Sequence, residues 1–265
     1  MISVDQAPEV EIYFDTTKFI STPQINHATP FLTLIYPTLH TMKIEYRRKL
    51  PHKFYLGYTF FITWNLKGAI PAQVIAQMKQ ERDDALKHIE SAKNLGPEEK
   101  LSEIHQVQRK YFLLFNEHLD RPYPESPLWL KVPEVAQIVA DRLHEFDNKY
   151  YRLLAYCIMA NHVHAIFDYS IQLPDDETKV TDANYKQVDQ VMKLINGATA
   201  VQANRILHRS GKFWAEAYFD RYIRNEKHLY NAINYTIRNP VKVGICKDWR
   251  EYPFTYLESE IDFTG

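Results

Sequence analysis

Two histidines separated by one residue are the first feature of this sequence that could do chemistry. His162 and His164 flank Val163 in a segment whose composition predicts a β-strand. Residues two apart on a strand point to the same face, about 6.6 Å apart along the chain. Both imidazoles can therefore reach one metal ion with bonds of about 2.1 Å, and we expect them to face a cleft that is open to solvent. Two ordinary histidines of a sheet are the alternative that this spacing leaves open.

A tyrosine and an asparagine form the second feature, on a helix predicted over residues 226–238. The apolar stripe of this helix runs through Leu229 and Ile233. Tyr235 lies about 200° around the helix from Ile233, and Asn239 follows four residues later on the same side. A phenol hydroxyl and an amide oxygen can thus face one site. A surface tyrosine beside an Asn-Pro helix end is the alternative.

Positive charge is concentrated near this helix. The chain carries a net charge of −1, but residues 205–250 hold ten Lys or Arg against four Asp or Glu, a local charge of +6. Aromatic residues are interleaved with these basic ones. Such a region can bind phosphates, and a solvated charged surface is the plain alternative.

The elements that must position these groups follow from hydrophobic periodicity. Alternation and apolar runs predict strands, and spacing of three or four residues predicts helices. The predicted strands are 58–65, 149–159, 162–169 and 213–223, and the predicted helices are 71–96, 97–122, 133–146, 187–208 and 226–238. The order of these elements predicts an α+β fold with an antiparallel sheet. The order is a strand, a helical excursion, two adjacent strands, a helix and a further strand.

Composition excludes several classes of protein. Only seven of the 265 residues are Gly, and neither GxGxxG nor GxxxxGK occurs, which argues against a nucleotide-binding loop. Two cysteines, Cys157 and Cys246, cannot build a disulfide framework, so we expect a cytoplasmic protein. The longest apolar stretch is too short for a transmembrane helix, and the start has no signal-peptide pattern, so we expect no membrane partner.

These features in this order resemble the HUH endonucleases with one catalytic tyrosine, and among them the REP-associated tyrosine transposases. The resemblance covers the chain from about residue 46. It is carried by residues 46–52, 63–71, 159–164, 210–214, 218–221, 223–224, 235–242 and Gly244. Two departures are Ala160, where the family usually has Pro, and Asn196, where it commonly has Lys.

The resemblance implies a fold, a site and an activity. It implies a ferredoxin-like antiparallel sheet with helices on one face, a helical insertion after the first core strand, an N-terminal extension (1–45) and a transposase domain (46–265). The implied site comprises the nucleophile Tyr235 and a divalent cation, Mg²⁺ or Mn²⁺, on His162, His164 and Asn239. The implied activity is cleavage and transfer of single-stranded DNA beside a hairpin, through a 5′-phosphotyrosine intermediate.

The resemblance also implies binding partners, and two other interpretations of the function remain open. We expect single-stranded DNA hairpins as partners, no nucleotide cofactor, and a monomer or homodimer. The predicted DNA contacts are Arg47, Arg48, Lys49, His52, Lys212, Arg221 and Arg224. One alternative is a phosphodiesterase that uses water, with His162, His164 and Asp168 as metal ligands. The other is a DNA-binding relative without catalysis.

Overall fold

The computed structural model describes the backbone of residues 43–47, 51–174, 180–181 and 183–262, with side chains from residue 56 onward. Most of the predicted extension, residues 1–45, lies outside these ranges. The chain divides into two compact units, and each is described by itself. Among the described residues, one unit is 68–126, and the other combines 43–67 with 127–262.

The smaller unit is a pair of helices, α1 (Ala72–Ser91) and α2 (Pro97–Asp120), which pack on each other. The guanidinium of Arg82 lies 4.8 Å from the centre of the Tyr111 ring. Helix α2 begins where the sequence predicts it, because the Gly96 N–H donates to the Glu99 carboxylate and Pro occupies the first helical position.

The larger unit is built on a five-stranded antiparallel sheet. Its strands are β3 (Thr59–Asn65), β4 (Arg152–Ile158), β5 (His162–Asp168), β6 (Phe219–Tyr222) and β7 (Thr255–Leu257). They lie in the order β6-β3-β5-β4-β7. From β6 to β4 across the sheet, the strands are the fourth, first, third and second of these core strands along the chain. This order is the ferredoxin-like arrangement. A separate antiparallel hairpin joins β1 (Lys43–Arg47) to β2 (Pro51–Tyr55).

Two helices cover one face of this sheet. They are α3 (Pro133–Phe146), which packs on β4, and α4 (Val188–Ile206), which packs on α3. Val163 and Phe167 point to this face of β5, and Phe167 stacks on Tyr151 with ring centres 4.1 Å apart.

A third helix lies on the opposite face. Helix α5 (Glu226–Ile237) packs on β4, β5 and β7, and the one-turn helix α6 (Asn239–Lys242) follows it. Because both faces are covered, every residue of β3 and β5 is buried. The predicted α+β, ferredoxin-like fold is confirmed. The structure adds α5 on the second face and β7 at the sheet edge, and limits the strand predicted over 213–223 to β6.

The predicted helical excursion after the first core strand is present as α1, α2 and α3. The third of these helices belongs to the unit of the sheet, whereas α1 and α2 form the other unit. No helix in the described part of the chain is both long enough and apolar enough to cross a membrane.

Phe167→Ala should lower the free energy of unfolding of the larger unit by about 3–5 kcal/mol, because it opens a cavity under Tyr151. Urea titration followed by tryptophan fluorescence measures this, since Trp64, Trp129, Trp214 and Trp249 all lie in that unit. Val201→Ala on α4, where the side chain is 62% exposed, is the control and should change stability by less than about 0.5 kcal/mol. Equal effects of the two substitutions would contradict the packing described.

Candidate active site

The two histidines face each other on the side of the sheet that α5 covers. The Nε2 atoms of His162 and His164 are 3.1 Å apart, and the ring centres are 4.7 Å apart. The pairing of β3 with β5 sets Asn65 opposite His162 and Thr63 opposite His164. The structure therefore brings the predicted pair together on one face, with the ring nitrogens converging.

Each histidine is also held at its other ring nitrogen. The Nδ1 of His162 lies 2.7 Å from the amide oxygen of Asn161, and the Nδ1 of His164 lies 2.8 Å from the hydroxyl of Thr63. Both partners are buried. They belong to segments that carry the family resemblance, but their role as partners of the histidines becomes visible only with the strand register.

The rings are buried rather than open to solvent. His162 is 1% exposed and His164 is not exposed at all. Burial lowers the pKa of His164 well below its usual range, and the nearby His162 and Lys242 lower it further by charge repulsion. An open cleft, the expectation from alternation on the strand, is not what the structure has. The imidazole of His164 is neutral at physiological pH, as a metal ligand must be.

Tyr235 lies directly against the histidine pair. Its ring centre is 5.2 Å from that of His164 and 5.9 Å from that of Phe61. The ammonium of Lys242 lies 5.4 Å from the centre of the same ring. Tyr235 is half-buried, whereas Lys242 is exposed. The ring of Tyr235 therefore lies near both His164 and Lys242, while its hydroxyl oxygen is buried.

Asn239 begins α6, immediately after the helix that carries Tyr235. Its side chain is fully buried. Neither its amide oxygen nor its amide nitrogen has a hydrogen-bond partner among the described residues. A buried amide without such a partner costs about 1–3 kcal/mol, so this group requires a reason for its place.

The donor set fits a divalent cation. Two Nε2 atoms 3.1 Å apart can both bind one ion at about 2.1 Å, and an amide oxygen such as that of Asn239 is of a type that Mn²⁺ and Mg²⁺ accept. Among the described residues no group of three His, Cys, Asp or Glu is placed to bind a metal, so any third protein ligand would be of another type.

Asp168 takes no part in this arrangement, although it shares the histidine face of β5. Its carboxylate accepts hydrogen bonds from the Ser170 N–H at 3.0 Å, the Ser170 hydroxyl at 2.8 Å and the Thr59 hydroxyl at 3.4 Å. Burial raises its pKa. The ligand set of the water-using alternative is therefore not assembled around the histidines.

The predicted DNA contacts separate into groups. Arg221 lies opposite Phe61 in the pairing of β3 with β6, and so on the histidine face. Arg224 follows shortly after and lies 4.9 Å from the Tyr222 ring centre. Lys212 pairs with Glu216 and lines a groove of about 360 Å³ beside α4, on the opposite side of the sheet. The side chains of Arg47, Arg48, Lys49 and His52 lie outside the described residues.

A third basic side chain joins Arg221 and Arg224. His228, on α5, is 5% exposed, and burial together with the charges of these two arginines lowers its pKa to about 4. The Nε and Nη1 atoms of Arg224 are buried and have no hydrogen-bond partner among the described residues. The cluster is therefore rich in donors and well suited to a phosphate.

The His228 pKa makes stability depend on pH. The unfolded chain, with a pKa near 6.5, binds the proton more readily than the folded chain. The contribution of His228 to the free energy of unfolding should therefore fall as the pH drops from about 6.5 toward 4, by about 3 kcal/mol at most, and be constant above that range. Urea titrations across this range should show the loss in the wild type and less of it in His228→Leu. Parallel pH profiles for the two proteins would contradict the assignment.

Comparison with known proteins agrees with the motifs. No protein-family model matches the chain. A curated Haemophilus influenzae protein, provisionally named a REP-associated tyrosine transposase, is 24% identical over 132 residues, which are 46% of this chain and 73% of that protein. A solved structure, described as a REP-associated tyrosine transposase bound to a REP hairpin, covers 83% of this chain and 95% of its own at 16% identity and a TM-score of 0.35. The similarity to the curated protein confirms the resemblance of this chain to the REP-associated tyrosine transposases.

Proposed function

We propose that this protein is a metal-dependent enzyme that cuts and joins single-stranded DNA beside a hairpin through a phosphotyrosine intermediate. One observation carries the proposal: the ring of Tyr235 lies 5.2 Å from that of His164, whose Nε2 converges on the Nε2 of His162. A nucleophile and a cation-binding pair thus adjoin the same small volume. The name of the curated relative, a tyrosine transposase, supports the same chemistry.

The reaction balances without a nucleotide cofactor. The oxygen of Tyr235 forms a bond to phosphorus, and the bond from phosphorus to the 3′ oxygen of the preceding nucleotide breaks. The phenol proton is lost to solvent and the freed 3′ oxygen gains one. The phosphodiester energy is kept in the phosphotyrosine link, so a second 3′ hydroxyl can reverse the step and join strands. A divalent cation, Mn²⁺ or Mg²⁺, supplies Lewis-acid polarisation of the phosphate oxygens when bound.

The other roles in the reaction belong to residues of this chain. His162, His164 and Asn239 hold the cation. Tyr235 is the nucleophile, and the exposed ammonium of Lys242 offers a positive charge where the phosphate must approach. Because the imidazoles and the hydroxyl oxygen of Tyr235 are buried whereas Lys242 is exposed, the DNA backbone approaches the site from the Lys242 side.

The DNA is held by phosphate contacts on the same face. Arg221 lies on the strand beside Phe61, which itself contacts both Tyr235 and His164. Arg224 carries buried guanidinium nitrogens without a hydrogen-bond partner among the described residues. These groups form a track for a single-stranded backbone next to the nucleophile, and neighbouring aromatic residues offer stacking for unpaired bases.

A phosphodiesterase that uses water explains these observations less well. Its third ligand, Asp168, is engaged by Ser170 and Thr59. Such an enzyme would also have no use for the phenol of Tyr235 beside the histidines. A DNA-binding relative without catalysis predicts DNA binding and no covalent adduct, and the experiment below separates it.

Tyr235→Phe should abolish the covalent adduct with single-stranded DNA next to a hairpin while leaving DNA binding intact, because only the hydroxyl is removed. The measurement is denaturing gel electrophoresis after incubation with 5′-labelled and 3′-labelled hairpin substrates and Mn²⁺. The adduct should retain the label on the 3′ side of the cut, since the tyrosine holds the 5′ phosphate.

The matched control is Tyr230→Phe, which removes a phenol hydroxyl from the same helix, five residues away. It should form adduct at the wild-type rate. His162→Ala should lose cleavage through loss of the cation. Cleavage by Tyr235→Phe at the normal rate would replace the tyrosine mechanism with the water-using one, and binding without cleavage by the wild type would favour the DNA-binding relative.

Arg221→Gln and Arg224→Gln should each weaken binding of single-stranded DNA and lower the salt dependence of affinity. Loss of one phosphate contact on a single strand reduces the slope of log affinity against log salt by about 0.7. Fluorescence anisotropy at a series of salt concentrations measures this slope. Lys193→Gln is the control, since Lys193 pairs with Asp189 on α4, and an equal change in that variant would argue against the proposed track.

A further inference from the structure

We propose that Thr63 and Asn161 are positioning residues that set which ring nitrogen of each histidine carries the proton, so that both Nε2 lone pairs can serve one cation. This inference rests on the cation site of the proposed function. It is carried by two buried hydrogen bonds, one between His162 and the Asn161 amide oxygen at 2.7 Å and one between Thr63 and His164 at 2.8 Å.

Asn161 fixes the first histidine. The atom that lies against the Nδ1 of His162 is an amide oxygen, which only accepts hydrogen bonds. The Nδ1 must therefore carry the proton, and the Nε2 of a neutral imidazole is left with its lone pair. His162 is thus held permanently in the state that a metal ligand needs.

Thr63 acts differently, because a hydroxyl both donates and accepts. Without a cation, the 3.1 Å contact between the two Nε2 atoms needs one proton, and His162 cannot supply it. The proton belongs to the Nε2 of His164, so the Nδ1 of His164 accepts from the Thr63 hydroxyl.

Cation binding reverses the second hydrogen bond. The Nε2 of His164 gives up its proton and the Nδ1 gains one, so the imidazole stays neutral and changes only its tautomer. The new Nδ1–H then donates to the Thr63 oxygen, while the hydroxyl hydrogen turns away. Thr63 is 1% exposed and His164 is fully buried, so water cannot readily take over this role. A valine of the same shape could neither donate nor accept.

The affinity of the protein for Mn²⁺ alone tests this role, measured by electron paramagnetic resonance of free Mn²⁺ during titration. Thr63→Val should bind Mn²⁺ about 10–100-fold more weakly than the wild type, the effect typical of a lost partner of a metal-bound histidine. Thr63→Ser keeps the hydroxyl and should restore most of the affinity. A merely structural role of the side chain would not be rescued in this way.

Thr59→Val is the matched control. Thr59 lies on the same strand and the same face, is equally buried, and places its hydroxyl against Asp168 rather than a histidine. The variant should bind Mn²⁺ like the wild type. Asn161→Leu should weaken binding as Thr63→Val does, while Asn161→Asp, which keeps an acceptor oxygen, should not.

The ring tautomers provide a test that needs no variant. Long-range ¹H–¹⁵N spectra of the metal-free protein should show His162 protonated at Nδ1 and His164 at Nε2, and addition of diamagnetic Zn²⁺ should move the His164 proton to Nδ1. A His164 protonated at Nδ1 before any metal is added would overturn the inference. So would equal Mn²⁺ affinity of the wild type and Thr63→Val.

Failure of the proposed function would give a different experimental result from failure of this positioning role. A wild type that binds no Mn²⁺ would remove the cation from the mechanism, whatever the tautomers are. Conversely, Thr63→Val with wild-type Mn²⁺ affinity and normal Tyr235 adduct would leave the proposed function standing and refute only the positioning role.

Discussion

The antiparallel register between β3 and β5 is the constraint on which the rest of the site depends. It sets Thr63 opposite His164, and Phe61 opposite Ile166, on the face that α5 covers. Because side chains alternate along a strand, a slip of one residue would turn Thr63 away and put Trp64 in its place. The apolar residues of the opposite face, such as Val163 and Phe167, hold the register because they are buried, and Phe167 stacks on Tyr151.

Burial of both faces explains the electrostatics. A polar group taken out of water must find a partner inside, and the histidine face meets this demand with local pairs. His162 has Asn161, His164 has Thr63, and each ring has the other. Protonation of His164 would place a positive charge near His162 and near the ammonium of Lys242. Both groups lower the pKa of His164 by charge repulsion. The pocket therefore disfavours imidazolium and keeps the ring in the neutral form that a metal ligand needs.

Much of this could be predicted from the sequence, and the limits have physical causes. Alternation in residues 58–65 and 162–169 predicted the two central strands, and the apolar stripe around Ile233 predicted α5. Strand order and register arise from contacts distant in sequence, which periodicity does not encode. For that reason the partnership of Thr63 with His164, 101 residues apart, was out of reach.

Periodicity also could not predict that an element later in the chain buries the histidine face of β5. The alternation in β5 indicated that His162 and His164 share one face, and it suggested that this face looks to solvent. Helix α5 covers that face, because its own apolar stripe needs a surface to pack on. The strand β7, with only three residues, was too short to leave a pattern in the sequence.

The break between α5 and α6 gives the last reason to regard this face as a site rather than a core. Pro240 lacks an N–H, so α5 ends at Ile237 and a new turn begins at Asn239. That turn buries an amide whose two polar atoms find no hydrogen-bond partner among the described residues. An apolar residue there would avoid a cost of about 1–3 kcal/mol. Under the proposed function, the oxygen of this asparagine binds the same cation as the Nε2 atoms of His162 and His164, which would account for a buried amide at that cost.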